Sequence, residues 1–68
     1  NGNNELALSI LRKAYQSMKH VPTISYHYAV GLAETGNKEE ARSILIDLVE
    51  LSFPELGQAR ELLHNLGG

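Results

Sequence analysis

Apolar residues recur along this chain at helical spacing in four successive stretches. In the first, Ala7, Ile10, Leu11, Ala14, Tyr15 and Met18 fall at i, i+3, i+4 and i+7, the stripe of an amphipathic helix. The spacing predicts a helix over about residues 4–19. Asn3 stands as its N-cap, where a side-chain oxygen can accept an amide of the first turn. Lys19 and His20 suit the negative pole at its end. Val21-Pro22 then punctuates the chain, and Pro is at home in the first helical position because its missing N–H has no partner there. A second helix is expected over 22–34, with Ile24, Tyr28, Ala29 and Leu32 on its inner face and Gly36 able to take a left-handed C-cap.

Asn37 with Glu40 three residues on has the spacing of a capping box and opens a third helix, expected over 38–51. Its apolar positions are Ala41, Ile44, Leu45, Leu48 and Val49, and Ile46 and Leu51 widen the stripe, which predicts cover on more than one side. Ser52 and Glu55 repeat the capping-box spacing and open a fourth helix over 54–66. Ala59, Leu62, Leu63 and Leu66 lie on one face of it, and Gln58, Arg60, Glu61 and Asn65 on the other. Connections this short impose antiparallel neighbours, so the fold class is all-α, built of helix–turn–helix units.

The two halves echo each other. Gly2-Asn3-Asn4-Glu5-Leu6-Ala7 returns 34 residues later as Gly36-Asn37-Lys38-Glu39-Glu40-Ala41, and Ser9-Ile10-Leu11 returns as Ser43-Ile44-Leu45. Over the full overlay eight pairs are identical, where random composition gives roughly two. A fixed period of this length marks a repeat array, in which each unit buries its apolar face against its neighbour.

These residues resemble the tetratricopeptide repeat. That family places a Gly at the turn between its two helices and an Ala five residues later, as in Gly2/Ala7 and Gly36/Ala41. It then has a large apolar residue and a small or apolar one, matched by Leu11/Ala14 and Leu45/Leu48, and a Pro near the exit of the second helix, matched by Pro22 and Pro54. The family's four packing positions of the first helix fall on Ser25, Tyr28, Ala29 and Leu32, and in the next unit on Ala59, Leu62, Leu63 and Leu66. Two positions depart from the pattern: Ser25 stands where a large aromatic is usual, with Tyr26 beside it, and Leu32 stands where the family has Tyr. The resemblance covers residues 1–68 as one domain. It implies a second helix of one unit over 1–21, a full unit over 22–53 and a closing helix over 54–68. A start at Asn1, within a repeat, predicts a piece cut from a longer protein. The His27-Tyr28-Ala29-Val30 stretch, the Phe53-Pro54-Glu55 restart and the Ala-Arg-x-Leu-Leu ending look like repeats of bacterial proteins tied to exopolysaccharide and protein-sorting systems.

Composition narrows the function classes. A chain of 68 residues with 43% hydrophobic and 21% charged residues is a small folding unit rather than a disordered one. A net charge of −2, with the signs interspersed, gives no electrostatic footprint for nucleic acid. The longest apolar run is far short of the ~18 residues of a membrane span, so no membrane insertion is expected from this segment. No Cys is present, which excludes thiolate metal sites and disulfides and leaves the compartment open. His20, His27 and His64 are the candidates for a general base or metal ligand, but they lack an H-x3-H or H-E-x-x-H spacing. Neither a G-x-S-x-G context nor a Gly-rich phosphate loop occurs. The expectation is a non-enzyme with no cofactor and no metal.

The resemblance implies instead a surface for a protein or peptide partner. Transferring the family's concave groove onto this chain puts Thr23, Tyr26, His27, Val30 and Glu34 on the groove side of the second helix, extended by Arg60 and His64 on the fourth. Tyr26 is either the anchor of that groove, large and rigid with a polar tip, or a cover for the missing aromatic packing position. The family's clamp for a C-terminal carboxylate needs Lys, Asn and Arg, and the corresponding Thr23, His27 and Val30 do not supply it. Two further roles are compatible with the pattern. One is a closing cap of a longer solenoid. The other is a homodimer through the first helix, exposed near Leu6, Leu8 and Leu11.

Overall fold

The computed structural model describes the backbone of residues 2–67 and the side chains of residues 5–67. Among them lie four helices and no strand: α1 (Gly2–Ser17), α2 (Pro22–Glu34), α3 (Lys38–Leu48) and α4 (Leu56–Asn65). Each packs on the next in chain order, α1 on α2, α2 on α3 and α3 on α4, in a slab of 31 × 26 × 16 Å. This is the all-α helix–turn–helix array that the spacing predicts.

The α2 helix has the bounds its sequence gives. Val21 is extended (φ −102°, ψ 102°), as a residue before proline tends to be, and Pro22 opens the helix. At the other end Gly36 takes φ +87°. That left-handed residue lets the Asn37 amide donate to the Leu32 carbonyl at 2.8 Å and the Gly36 amide to that of Ala33 at 3.2 Å. The pair forms a Schellman closure, which satisfies two carbonyls the helix end would leave free.

Elsewhere the ends differ from expectation for identifiable reasons. The α1 helix starts at Gly2, so Asn3 lies within its first turn and not ahead of it. It stops at Ser17, and Lys19 lies beyond it, with Nζ 5.7 Å from the centroid of the Tyr15 ring. Neither capping box forms. The Glu40 carboxylate accepts a hydrogen bond from the Tyr28 hydroxyl at 3.1 Å, and the Glu55 carboxylate accepts one from Thr23 at 2.8 Å. The Asn37 side chain donates to the Thr35 hydroxyl at 2.9 Å. Beyond Leu48, the amides of Glu50 and Leu51 bond back three residues, to Asp47 and Leu48. The third helix therefore tightens into turns, and the fourth starts at Leu56 after them.

Two apolar clusters hold the layers. One gathers Leu8, Tyr28, Leu32 and Ala41, the other Ala29, Leu45, Leu48 and Ala59. The four packing positions expected on α2, Ser25, Tyr28, Ala29 and Leu32, are all buried. On α4 only Ala59 is fully enclosed, while Leu62, Leu63 and Leu66 are half-buried. The wide stripe expected on α3 is corrected: Ile46 and Leu51 are exposed. On α1 the inward residue is Leu8, with Leu11 and Tyr15 half-buried beside it, while Ile10, and Met18 just past the helix, are exposed.

Tyr28 ties three helices together. Its hydroxyl accepts from Arg12 Nε of α1 at 3.0 Å and donates to Glu40 of α3, and its ring lies 4.9 Å from that of Tyr15. The hydrogen bond to Tyr28, followed by the nearby Tyr28 and Glu40 groups, moves the Arg12 pKa further up, so the guanidinium stays charged. Gly31 admits α1 closely, because a Cβ there would meet Leu8 Cδ1 at 3.3 Å and Leu11 Cδ1 at 3.4 Å. A helical Gly costs about 1 kcal/mol against Ala, and this approach accounts for it.

Candidate binding groove

The α2 and α4 helices run the same way, each antiparallel to α3 between them. Their starts are joined by the Thr23–Glu55 hydrogen bond. Toward their ends an open depression of about 550 Å³ lies between them. Tyr26, Val30, Ala33 and Glu34 line it from α2, and Gln58, Glu61, Leu62, Asn65 and Leu66 from the α4 side. Val30 and Glu34 also border a second depression of about 240 Å³ against α1, where Leu8, Leu11 and His27 contribute. The two hollows share those residues and adjoin along α2.

Its chemistry is an apolar floor with an acidic end. Tyr26, Val30, Leu62 and Leu66 are half-buried and supply apolar surface, and Gln58 and Asn65 offer both donors and acceptors. Glu34 and Glu61 are exposed and take no part in the Arg42–Glu39 ion pair, and no Lys or Arg lines the hollow. Glu34 closes α2, and Asn65 closes α4. The negative pole of α2 therefore lies at the same end as these carboxylates, while the end of α4 is met by Arg42, whose Nη1 donates to the Leu66 carbonyl at 3.2 Å.

The sequence-based candidates separate on this frame. Tyr26, Val30 and Glu34 line the main depression. His27 lies in the neighbouring one, its ring 5.6 Å from that of Tyr26. Thr23 lies at the helix starts, bonded to Glu55, and is absent from both linings. Arg60 and His64 are exposed, and neither lines the groove. Ala33, Gln58, Glu61, Leu62, Asn65 and Leu66 were not anticipated there. A shift of 34 residues carries Tyr26 onto Arg60 and Val30 onto His64, which maps the leading edge of α2 onto the leading edge of α4. A hollow between two helices is made by the leading edge of one and the trailing edge of the other. The α4 residues that line this hollow are Gln58, Glu61, Leu62 and Asn65, a set with i, i+3, i+4, i+7 spacing.

Further features bear on other chemistry. Among the described residues no group of three or more His, Cys, Asp or Glu lies together as a metal site would need. His20, His27 and His64 are exposed. Among the described residues no helix is long and apolar enough to cross a membrane. The apolar surface that faces outward is Leu6, 63% exposed, and Ile10, 61% exposed, on α1, with Met18 just beyond it, whereas Leu8 is buried and Leu11 half-buried.

Comparison with known proteins addresses the repeat itself. No curated protein and no solved structure matches the chain. Nothing found supports the narrower likeness to repeats of exopolysaccharide and protein-sorting systems. The family model described as tetratricopeptide repeat matches residues 1–66, nearly the whole chain, and that match agrees with the period, the turn glycines and the buried α2 positions. The chain belongs to the tetratricopeptide repeat family.

Proposed function

We propose that this chain is a protein–protein interaction module whose trough between α2 and α4 holds an extended or helical segment of a partner. Repeats of this family generally mediate protein–protein interaction. The observation that carries the reading to a place is the half-buried apolar floor of Tyr26, Val30 and Leu62, open to solvent between two parallel helices. Tyr26 supplies a rigid ring with a polar tip, the kind of residue that dominates binding energy at such surfaces. The test is titration of a peptide library against the labelled chain while following its amide shifts. Binding in the trough moves the signals of Tyr26, Val30 and Leu62 together. A ligand that binds while those signals stay still removes the trough from the reading.

A second reading is self-association through α1. Ala7 and Ile10 stand exposed, with Leu6 exposed beside them, and Ala14 is half-buried, while their equivalents one period on, Ala41, Ile44 and Leu48, pack into the apolar clusters with α2. The face is shaped to receive a helix, and the occupant proposed is the same face of a second copy. Light scattering that finds only monomer at high concentration ends this reading.

A further inference from the structure

We infer that the occupant of the trough is a basic amphipathic segment, with apolar side chains on the Tyr26–Leu62 floor and a Lys, an Arg or a free amine at the Glu34 end. The inference rests on the groove reading and adds the chemistry of the partner. The apolar floor sets the need for an apolar face: Tyr26, Val30 and Leu62 are only half covered by their own chain. The charge selects the rest. Glu34 and Glu61 border the hollow with no basic residue among its lining, and neither enters the ion pair formed by Arg42 and Glu39. The α2 helix ends beside Glu34 and adds its negative pole, whereas the end of α4 already receives Arg42, whose Nη1 donates to the Leu66 carbonyl at 3.2 Å. A cation placed there meets three sources of attraction of one sign: Glu34, Glu61 and the end of α2. A carboxylate, whether of an acidic side chain or a chain terminus, meets repulsion from each of them. Gln58 and Asn65 satisfy a backbone or an amide without regard to charge, so they do not alter the preference.

Three capped helical peptides test this, each with Leu at i, i+3, i+4 and i+7 and with Lys, Gln or Glu at the polar positions. The expected result is that the Lys peptide binds about tenfold tighter than the Gln peptide, and that the Glu peptide is weakest. The E34Q/E61Q double variant, exposed at both positions and confirmed folded by circular dichroism, should cut the advantage of the Lys over the Gln peptide to about twofold. A control variant, D47N/E50Q at the end of α3 and in the turn after it, removes the same charge away from the trough and should keep the advantage. Equal shifts of Tyr26 and Leu62 by all three peptides would overturn the cationic partner while leaving the groove standing. Loss of the advantage in the control as well would assign it to net charge and overturn the proposal. Absence of shifts in the trough with any peptide would overturn both readings.

Discussion

The α1 and α3 helices carry nearly the same message and have different surroundings. Both contain Ala-x-Ser-Ile-Leu, at Ala7–Leu11 and Ala41–Leu45. In α3 the Ala and the Leu are fully buried and Ile44 touches both apolar clusters. In α1 the Ala is exposed, the Ile is 61% exposed and the Leu is half-buried. The cause is the neighbour. The α3 helix lies between α2 and α4, while among the described residues α1 packs chiefly against α2. A repeat sequence thus specifies a helix and a face, but the energy of that face belongs to the contact between repeats. The same residues should therefore differ widely in what they contribute to stability, and paired substitutions measure that difference.

The largest contrast is at the alanines. Ala41→Asp places a carboxylate in a fully enclosed position with no cation to pair it, a cost of several kcal/mol. A domain this small has little more than about 3–5 kcal/mol to lose, so the helical signal should vanish at room temperature. Ala7→Asp stands in solvent and should cost about 0.5–1 kcal/mol, mostly helix propensity. Circular dichroism during urea unfolding distinguishes the two. Equal losses would mean that α1 is covered as fully as α3. The next contrast is Leu45→Ala against Leu11→Ala. Full burial at Leu45 predicts a loss of about 2–5 kcal/mol, and partial cover at Leu11 about half of that.

What the sequence disclosed, and what it withheld, follows the same division. The helices, their period and the buried face of α2 were legible because they repeat and because local rules govern them. Pro22 and Gly36 set the bounds of α2 through backbone geometry alone. The expected capping boxes failed because Glu40 and Glu55 are engaged by Tyr28 and Thr23, residues 12 and 32 positions away, and a local motif does not register that competition. In the candidate groove Tyr26, Val30 and Glu34 were legible from the face of one helix. Glu61, Leu62 and Asn65 were not, because the hollow exists only once two helices stand side by side and show each other opposite edges. The acidic end was hidden for the same reason: Glu34 and Glu61 lie on different helices.

A smaller effect is expected at the turn between α2 and α3. Gly36→Ala keeps every apolar contact, since no atom lies within 4 Å of the added methyl, but it forces a side chain to φ +87°. The cost should be about 1–2 kcal/mol, read as a shift of the urea midpoint at constant slope. A change in slope instead would mean that the Schellman closure unravels and exposes the α2–α3 interface.

The smallest effect is the most discriminating for the α1 face. Ile44→Gln removes apolar surface that touches both clusters and should cost about 1–3 kcal/mol. Ile10→Gln alters a residue already 61% exposed and should change the stability of the isolated chain by less than about 0.5 kcal/mol. Pairing between copies adds a dependence on concentration. Anything that binds the folded state stabilises it by mass action, so a paired α1 face would make the unfolding midpoint of the unaltered chain rise with protein concentration. Ile10→Gln would then abolish that rise while leaving the dilute midpoint in place. A midpoint that ignores concentration in both proteins leaves Ile10 as exposed surface with no second copy on it. In that case the asymmetry between α1 and α3 belongs to the single chain.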